Sequence, residues 1–195
     1  PTGSGTSASR SRSGRERNST LGGSTPNPSP GRNPHAASTR GTVVRVSVIG
    51  GSSVTDEEYA TAERLGAELA ERGHEIVCGG LGGVMEAVCA GAQRADGHTI
   101  GIVPGKNRTA ANDYVDTAIA TGINDARNAV IAMNGDGVVA VDGGPGTLSE
   151  IGHALTFGRP VAGLDTHRVD GVYGIEHVDS PAEAVTHLES EVDGA

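Results

Sequence analysis

A run of small and β-branched residues, Gly137-Val138-Val139-Ala140-Val141-Asp142, leads directly into the turn Gly143-Gly144-Pro145-Gly146-Thr147. A continuous apolar run of this length is typical of a strand that is buried on both faces, as in a parallel sheet. The glycines predict a tight strand-to-helix turn, after which residues 148–157 form a helix that ends at Gly158. Thr147 and Glu150 have the spacing of a capping box at the start of this helix.

The same alternation of strand and helix extends outward on both sides. Upstream, we predict strands over residues 43–49, 75–78, 98–103 and 114–120, and helices over 56–72, 84–95 and 124–134. Downstream follow strands over 160–164 and 172–177 and a last helix from 181. Thr55 with Glu58 and Ser180 with Glu183 form further capping-box patterns, and Asn124 is the expected N-cap of the helix that precedes the central strand. This order predicts an α/β fold: a doubly wound, mainly parallel sheet with helices on both faces, Rossmann-like.

Composition divides the chain in two. Residues 1–40 hold 9 Ser, 6 Gly, 6 Arg and 5 Pro, and Leu21 is the only large aliphatic residue among them. Such a segment buries too little apolar surface to offset its ordering entropy, so 1–42 is predicted to be a disordered tail. Residues 43–195 are predicted to form one globular, nucleotide-binding domain.

Charge limits the partners of the domain. The first 42 residues contain six of the 15 basic residues and one of the 24 acidic residues. Residues 43–195 therefore hold 9 basic and 23 acidic residues, a net charge of −14. An acidic surface of this kind repels polyanions, so the domain is not expected to bind nucleic acid, although the Arg-rich tail allows weak contact. Only one basic residue, Lys106, is a lysine. This composition indicates adaptation to high salt or, alternatively, a GC-rich genome.

Cys78 and Cys89 stand in apolar surroundings and are too few for a disulfide framework or a zinc site, so both are predicted to be structural and the protein cytoplasmic. No window approaches the roughly 18 apolar residues that a membrane span needs, and no membrane association is expected.

Three glycine clusters each follow a predicted strand, and in a parallel sheet all three lie at the carboxyl edge. They are Gly50-Gly51-Ser52-Ser53, Gly79-Gly80-Leu81-Gly82-Gly83 and Gly143-Gly144-Pro145-Gly146-Thr147. One such cluster can serve simply to turn the chain, but three that converge favour a phosphate or nucleotide site. The candidate ligand-binding residues are Gly51, Ser52, Ser53, Gly82, Gly83, Met85, Arg127, Asn128, Gly143, Gly144, Gly146 and Thr147.

Familiar catalytic patterns do not match. The segment Gly101-Ile102-Val103-Pro104-Gly105-Lys106-Asn107 is one residue short of a Walker loop, and no G-x-G-x-x-G follows the first strand. There is also no G-x-S-x-G elbow and no H-E-x-x-H. No metal site and no required cofactor are expected.

The third cluster, Gly143-Gly144-Pro145-Gly146-Thr147-Leu148-Ser149-Glu150, resembles the G-G-x-G-T-x-x-E signature of the LOG-like proteins, the LONELY GUY cytokinin-activating phosphoribohydrolases. Arg127 precedes the glycine pair at the spacing of that family's motif arginine. The resemblance continues through residues 51–53, 82–87 and 101–104 and covers most of 43–165. It implies a homo-oligomer, a dimer or a tetramer.

In those enzymes the motif arginine and glutamate serve the cleavage of a nucleoside 5'-monophosphate into base and ribose 5-phosphate. By resemblance these catalytic roles fall on Arg127 and Glu150. However, this chain has Asn124-Asp125-Ala126 before the arginine, Asn128 after it, and Asp142 where the enzymes have proline. At these positions the chain is more similar to the uncharacterised nucleotide-binding branch that resembles the molybdenum-cofactor carrier proteins.

Two functions are therefore predicted from different classes. The first is a carrier or sensor that binds a phosphorylated, nucleotide-like small molecule, such as a nucleotide or a molybdopterin-type ligand, at the carboxyl edge of the sheet. The alternative is a nucleoside 5'-monophosphate phosphoribohydrolase, an N-glycosidic hydrolase. Two residues have two possible roles each: Arg127 binds the ligand or pairs at the surface with Asp125 or Asp136, and Glu150 is catalytic or only caps its helix.

Overall fold

The computed structural model describes residues 44–194, so the predicted tail over residues 1–42 lies outside the described part of the chain. Seven parallel strands form one sheet in the order β4-β3-β2-β1-β5-β6-β7. The strands are β1 (Arg45–Gly50), β2 (Glu75–Cys78), β3 (Thr99–Val103), β4 (Thr117–Ala120), β5 (Gly137–Val141), β6 (Val161–Leu164) and β7 (Ile175–His177). The helices are α1 (Asp56–Glu71), α2 (Val84–Arg94), α3 (Arg127–Asn134), α4 (Pro145–Thr156) and α5 (Pro181–Asp193).

The predicted fold class and the order of all twelve elements are confirmed. The chain winds from β1 to β4 in one direction and from β5 to β7 in the other, so β1 and β5, which pair from Val46 with Gly137 to Gly50 with Val141, flank the switch point of the sheet. In sheets of this kind, ligands bind outside the carboxyl ends of the strands at that point.

Two cores cover the two faces of the sheet. Val46 and Val48 of β1 pack with α1, α2 and α5, whereas Ile49 packs with α3 and α4. Ser47 also lies on the α3 side, where its buried hydroxyl donates to the carbonyl of Ile131 at 2.7 Å. β1 is therefore packed between helices on both faces of the sheet.

Two predicted capping boxes place helix starts correctly. At α1, the Glu58 N–H donates to Thr55 Oγ1 at 3.3 Å and the Thr55 N–H donates to Glu58 Oε2 at 2.6 Å. At α5, Ser180 accepts from the Glu183 N–H, while the Glu183 carboxylate accepts from Asp179 rather than from Ser180.

Three strands start two or three residues later than the sequence indicates, β3 and β6 start one residue later, and one helix also starts later. β1 begins at Arg45, β4 at Thr117 and β7 at Ile175. The prediction that Asn124 caps the helix before β5 is wrong, because residues 124–126 form a separate 3-10 turn and α3 begins at Arg127. Asn124 adopts a φ of 51°, a left-handed conformation that asparagine tolerates better than most residues and that an N-cap does not use.

Cys78 and Cys89 are free thiols, both buried as predicted, and their Sγ atoms lie 3.6 Å apart between β2 and α2. Across residues 44–194, no helix has both the length and the apolar character needed to cross a membrane.

Candidate ligand-binding site

A pocket of about 350 Å³ opens at the carboxyl ends of β1, β2 and β5, where the sheet switches direction. It is the place that the three glycine clusters predict. Nine of the candidate residues from the sequence line it: Gly51, Ser52, Met85, Arg127, Asn128, Gly144, Gly146, Thr147 and Glu150.

The other four candidates, Ser53, Gly82, Gly83 and Gly143, lie nearby but do not line the pocket. Gly83 has a φ of 68°, and a Cβ at this position would lie 2.8 Å from the Cα of Ser52. The N–H of Val84, the first residue of α2, donates to the carbonyl of Gly51 at 2.9 Å. The second glycine cluster therefore packs against the first and supports it.

The first turn of α4 faces the pocket with N–H groups that no described side chain caps. Its N-cap is Gly144, and no side chain caps it. The N–H groups of Gly146 and Thr147 therefore have no partner in the first helical turn, and the helix dipole makes this end positive. A Cβ on Gly144 would meet nothing within 4 Å, so the approach to these donors is open. Such a helix N-terminus can bind an anion.

The capping box predicted from Thr147 and Glu150 is wrong. α4 begins at Pro145, so Thr147 is its third residue and Glu150 its sixth, and Glu150 is too far along to reach the N-cap backbone. The Thr147 side chain instead lies against Gly143, whose φ of 122° and lack of a Cβ allow this contact. The helix-cap interpretation of Glu150 therefore fails.

Arg127 is the first residue of α3 and is only 8% exposed. Its Nη1 donates to Asn128 Oδ1 and lies 3.6 Å from Glu150 Oε1, while its Nε has no partner among the described residues. Asp136, one of the surface partners considered for this arginine, accepts instead from the N–H of Arg45 at 2.9 Å. Arg127 is therefore a buried cation beside the pocket and not a surface arginine.

Gly79, at the end of β2, makes room for the Arg127 guanidinium. A Cβ on Gly79 would lie 2.9 Å from Arg127 Nη2 and 2.7 Å from Met85 Sδ. Any side chain there would displace one or both groups, so the glycine is required for the position of the arginine.

Glu150 lies in the same pocket, 7% exposed, and accepts no hydrogen bond from the described residues. Burial raises the pKa of Glu150 to about 7, and the nearby Arg127 guanidinium opposes this rise only in part. A carboxyl group with such a pKa exists in both protonation states near neutral pH, so it can give or accept a proton there.

Several further residues form the site. Gly50, Gly79, Leu81 and Pro145 line the pocket and belong to the quoted glycine clusters, which could have identified them. Val48, Ile49 and Asp125 also line it, although no motif singles them out.

A loop after β6 contacts the turn between β5 and α4, which borders the pocket. Thr166 Oγ1 donates to the carbonyl of Asp142 at 2.7 Å, and His167 Nε2 lies 3.0 Å from the carbonyl of Gly144. Both contacts hold the turn that leads into α4. They join segments more than 20 residues apart, so the sequence gives no local signal for them.

Within residues 44–194, no group of three or more His, Cys, Asp or Glu side chains is arranged to hold a metal ion. The polar groups that line the pocket are the Arg127 guanidinium, the carboxyl groups of Glu150 and Asp125, the Ser52 and Thr147 hydroxyls, the Asn128 amide, and the donors of the helix N-terminus.

The fold and the site together define a Rossmann-like α/β protein with a small-molecule pocket at the switch point of its sheet. The chain belongs to the SLOG cluster4 family, whose model matches residues 43–191. The resemblance to LOG-like proteins, and to the branch that resembles the molybdenum-cofactor carrier proteins, is confirmed by similar proteins of both kinds.

An uncharacterised protein of Archaeoglobus fulgidus is 40% identical over 145 residues, which cover 74% of this chain and 94% of that protein. A probable cytokinin riboside 5'-monophosphate phosphoribohydrolase of Oryza sativa subsp. japonica is 33% identical, over 66% of this chain and 56% of the rice protein. The structure of the molybdenum cofactor binding protein of Rippkaea orientalis superimposes with a TM-score of 0.72 and 32% identity, over 77% of this chain and 98% of that one.

Proposed function

We propose that this protein binds a phosphorylated, nucleotide-like small molecule in the pocket between β1 and α4, as a carrier or sensor. The observation that carries the proposal is the buried Arg127 guanidinium, whose Nε has no partner among the described residues, in a pocket that also receives the uncapped N-terminus of α4. A buried, incompletely bonded cation is costly, and Glu150, 3.6 Å away with a pKa of about 7, is only a partial counter-charge near neutral pH; a phosphate group would supply the rest.

The other pocket walls suit the rest of such a ligand. Met85 and Leu81 offer apolar surface on which a flat ring can lie, and the exposed Asp125 can accept hydrogen bonds from ribose hydroxyls or ring amines at the rim. About 350 Å³ is near the lower limit for ligand pockets, which favours a mononucleotide or a pterin of similar size over a dinucleotide. The Rippkaea orientalis protein, which is named for binding molybdenum cofactor, supports the binding of such a ligand.

A second candidate function, cleavage of a nucleoside 5'-monophosphate into base and ribose 5-phosphate, is favoured by Glu150. Its pKa of about 7 suits proton transfer at neutral pH, and an ionised carboxylate in a pocket can stabilise the oxocarbenium-like charge that develops as a glycosidic bond breaks. The name of the rice relative, which this chain matches over 56% of that protein's length, supports the same candidate.

One experiment tests both candidates. The purified chain is incubated with a panel of nucleoside 5'-monophosphates at moderate and molar salt, binding is measured by calorimetry, and free base is sought by chromatography. We expect binding that falls at least about tenfold in Arg127→Ala, because a charge-assisted contact to phosphate is lost. Arg94→Ala is the matched control. Arg94 is the last residue of α2, is exposed, and pairs with Glu63 of α1.

The outcomes separate the candidates. Binding without base release supports the carrier or sensor, whereas base release that disappears in Glu150→Gln establishes the hydrolase. Unchanged nucleotide affinity in Arg127→Ala shows that the site assignment is wrong. If the folded protein binds no member of the panel, a mononucleotide ligand is excluded.

A further inference from the structure

A chain of three side-chain hydrogen bonds links the guanidinium of Arg127 to the first turn of α4. Arg127 Nη1 donates to Asn128 Oδ1, Asn128 Nδ2 donates to Ser149 Oγ at 3.2 Å, and Ser149 Oγ donates to the carbonyl of Gly146 at 2.7 Å. Because a guanidinium has only donors, the amide atom that faces it must be oxygen, and this fixes Nδ2 toward Ser149. Every donor points in the same direction, an arrangement in which each bond strengthens the next.

The two ends of this series of hydrogen bonds lie at the two groups that would bind a phosphate. Arg127 supplies the positive charge, and Gly146 belongs to the helix turn that supplies the N–H donors. They lie on different helices, and β5 separates these helices in sequence. Asn128 is 8% exposed and bonds to Arg127 on one side and to Ser149 on the other, so it connects the two groups through Ser149.

We propose that Asn128 is a positioning residue that acts through Arg127: it holds the guanidinium at a fixed place relative to the N-terminus of α4, so that both groups can bind one phosphate. The proposal rests on the proposed function above, and it replaces the sequence-based expectation that Asn128 contacts the ligand. In a positioned site the guanidinium is ordered before the ligand arrives, which reduces the entropy lost on binding.

The first test needs no ligand. The side-chain Nε–H of Arg127 is observed by NMR in the wild-type chain, in Asn128→Ala and in Asn134→Ala. Asn134 is the other asparagine of α3. It is exposed and, among the described residues, donates only to the carbonyl of Val130, so its replacement is the matched control. We expect a sharp, slowly exchanging signal in the wild type and in Asn134→Ala, and a broadened or fast-exchanging one in Asn128→Ala. A signal unchanged in Asn128→Ala overturns the proposal, whatever the ligand proves to be.

The second test uses inorganic phosphate and the tightest-binding member of the nucleotide panel. We expect Asn128→Ala to weaken phosphate binding about tenfold in the wild-type background and to have no effect when Arg127 is already alanine. Equal losses in both backgrounds would instead mean that Asn128 contacts the ligand directly, and the proposal would be wrong.

Isosteric replacement provides a third measurement. In Asn128→Asp the contact with Arg127 is kept, but the donor to Ser149 is lost and a negative charge is added beside the site, so we expect weaker binding than in Asn128→Ala. Binding in Asn128→Asp equal to that of the wild type contradicts the proposal. A wild-type chain that binds no phosphate compound, yet shows the ordered Arg127 signal that depends on Asn128, rejects the proposed function and leaves the positioning role standing.

Discussion

Glu150 is the residue at which burial and charge oppose each other most directly. It is enclosed beside one cation, Arg127, and the exposed carboxylate of Asp125 also lines the same pocket. Burial raises its pKa to about 7 against the effect of the arginine. A phosphate bound to Arg127 would remove that effect and add negative charge, so the pKa of Glu150 in the complex must lie above its value in the free protein.

Phosphate affinity should consequently depend on pH. Below about pH 7 Glu150 is already protonated in the free protein, so affinity should be flat, whereas above that value binding requires proton uptake and should weaken by up to about tenfold per pH unit. Dissociation constants measured from pH 6 to 8.5 for the wild type and Glu150→Gln test this. The ligand titrates identically with both proteins, so only the wild type should show the additional slope. Parallel curves would contradict the raised pKa.

Gly79 offers a second test at the scale of one residue. In Gly79→Ala the new methyl group would lie 2.9 Å from Arg127 Nη2 and 2.7 Å from Met85 Sδ, both at the ends of side chains that can move. We expect a modest loss of stability, about 1 kcal/mol, and a loss of phosphate affinity of about tenfold as the guanidinium shifts. Thermal unfolding and calorimetry measure the two effects. Gly105→Ala is the control, because a Cβ at Gly105 meets nothing within 4 Å; equal phosphate affinities in the two variants would contradict the steric role.

Among the elements, α1 and α2 pack closely at two glycines. A Cβ on Gly66 of α1 would lie 2.9 Å from the backbone nitrogen of Ala92, and one on Gly91 of α2 would lie 3.1 Å from that of Ala67 and even closer to the carbonyl of Glu63. The obstructing atoms are backbone atoms, which cannot move without shifting a whole helix. These two glycines allow the two helices to approach each other on the α1–α2 face of the sheet.

Two glycine-to-alanine changes in helices should therefore have opposite effects. Gly91→Ala should destabilise the protein by about 2 to 3 kcal/mol, because overpacking outweighs the better helix propensity of alanine. Gly152→Ala, in α4 where a Cβ would meet nothing within 4 Å, should stabilise it by up to about 1 kcal/mol. Urea unfolding of both variants gives the comparison. Destabilisation of similar size at both positions would indicate that helix packing is not the cause.

The elements also show how far local signals predict structure. Capping patterns at Thr55 and Ser180 mark true helix starts, but the same pattern at Thr147 does not, because Pro145 begins the helix one turn earlier with its ring in the favoured first position. The glycine clusters correctly indicate which edge of the sheet carries the pocket. The proximity of Arg127, Glu150 and Gly79 is a tertiary contact between separate elements, so no local pattern could reveal it.

At the scale of the whole molecule, the winding of the chain explains why these groups meet. β1 and β5 are adjacent, but the helices that follow them, α1 and α4, lie on opposite faces of the sheet, so a crevice opens between the two connections. α3 enters this crevice at its N-terminus and brings Arg127 and Asn128 to it. The site therefore depends on the complete sheet, and a fragment that lacks β5 would lose it.

Net charge is a second property of the whole molecule. Residues 43–195 carry a net charge of −14, while the described ion pairs between arginine and carboxylate involve only Arg45, Arg72, Arg94 and Arg127. Salt weakens both the attraction in these pairs and the repulsion among the remaining carboxylates. Exposed pairs contribute at most about 1 kcal/mol each, so we expect the relief of repulsion to dominate.

The melting temperature should therefore rise as potassium chloride is increased from 0.1 M to 2 M. The Debye length falls from about 10 Å to about 3 Å already at 1 M, so screening is nearly complete there. A rise that stops near 1 M reflects screening alone, whereas a rise that continues to 2 M supports adaptation to high salt. Equimolar sucrose controls for exclusion of solutes from the protein surface. A melting temperature that is constant or falls over this range would contradict both expectations and favour the GC-rich genome as the origin of the arginine bias.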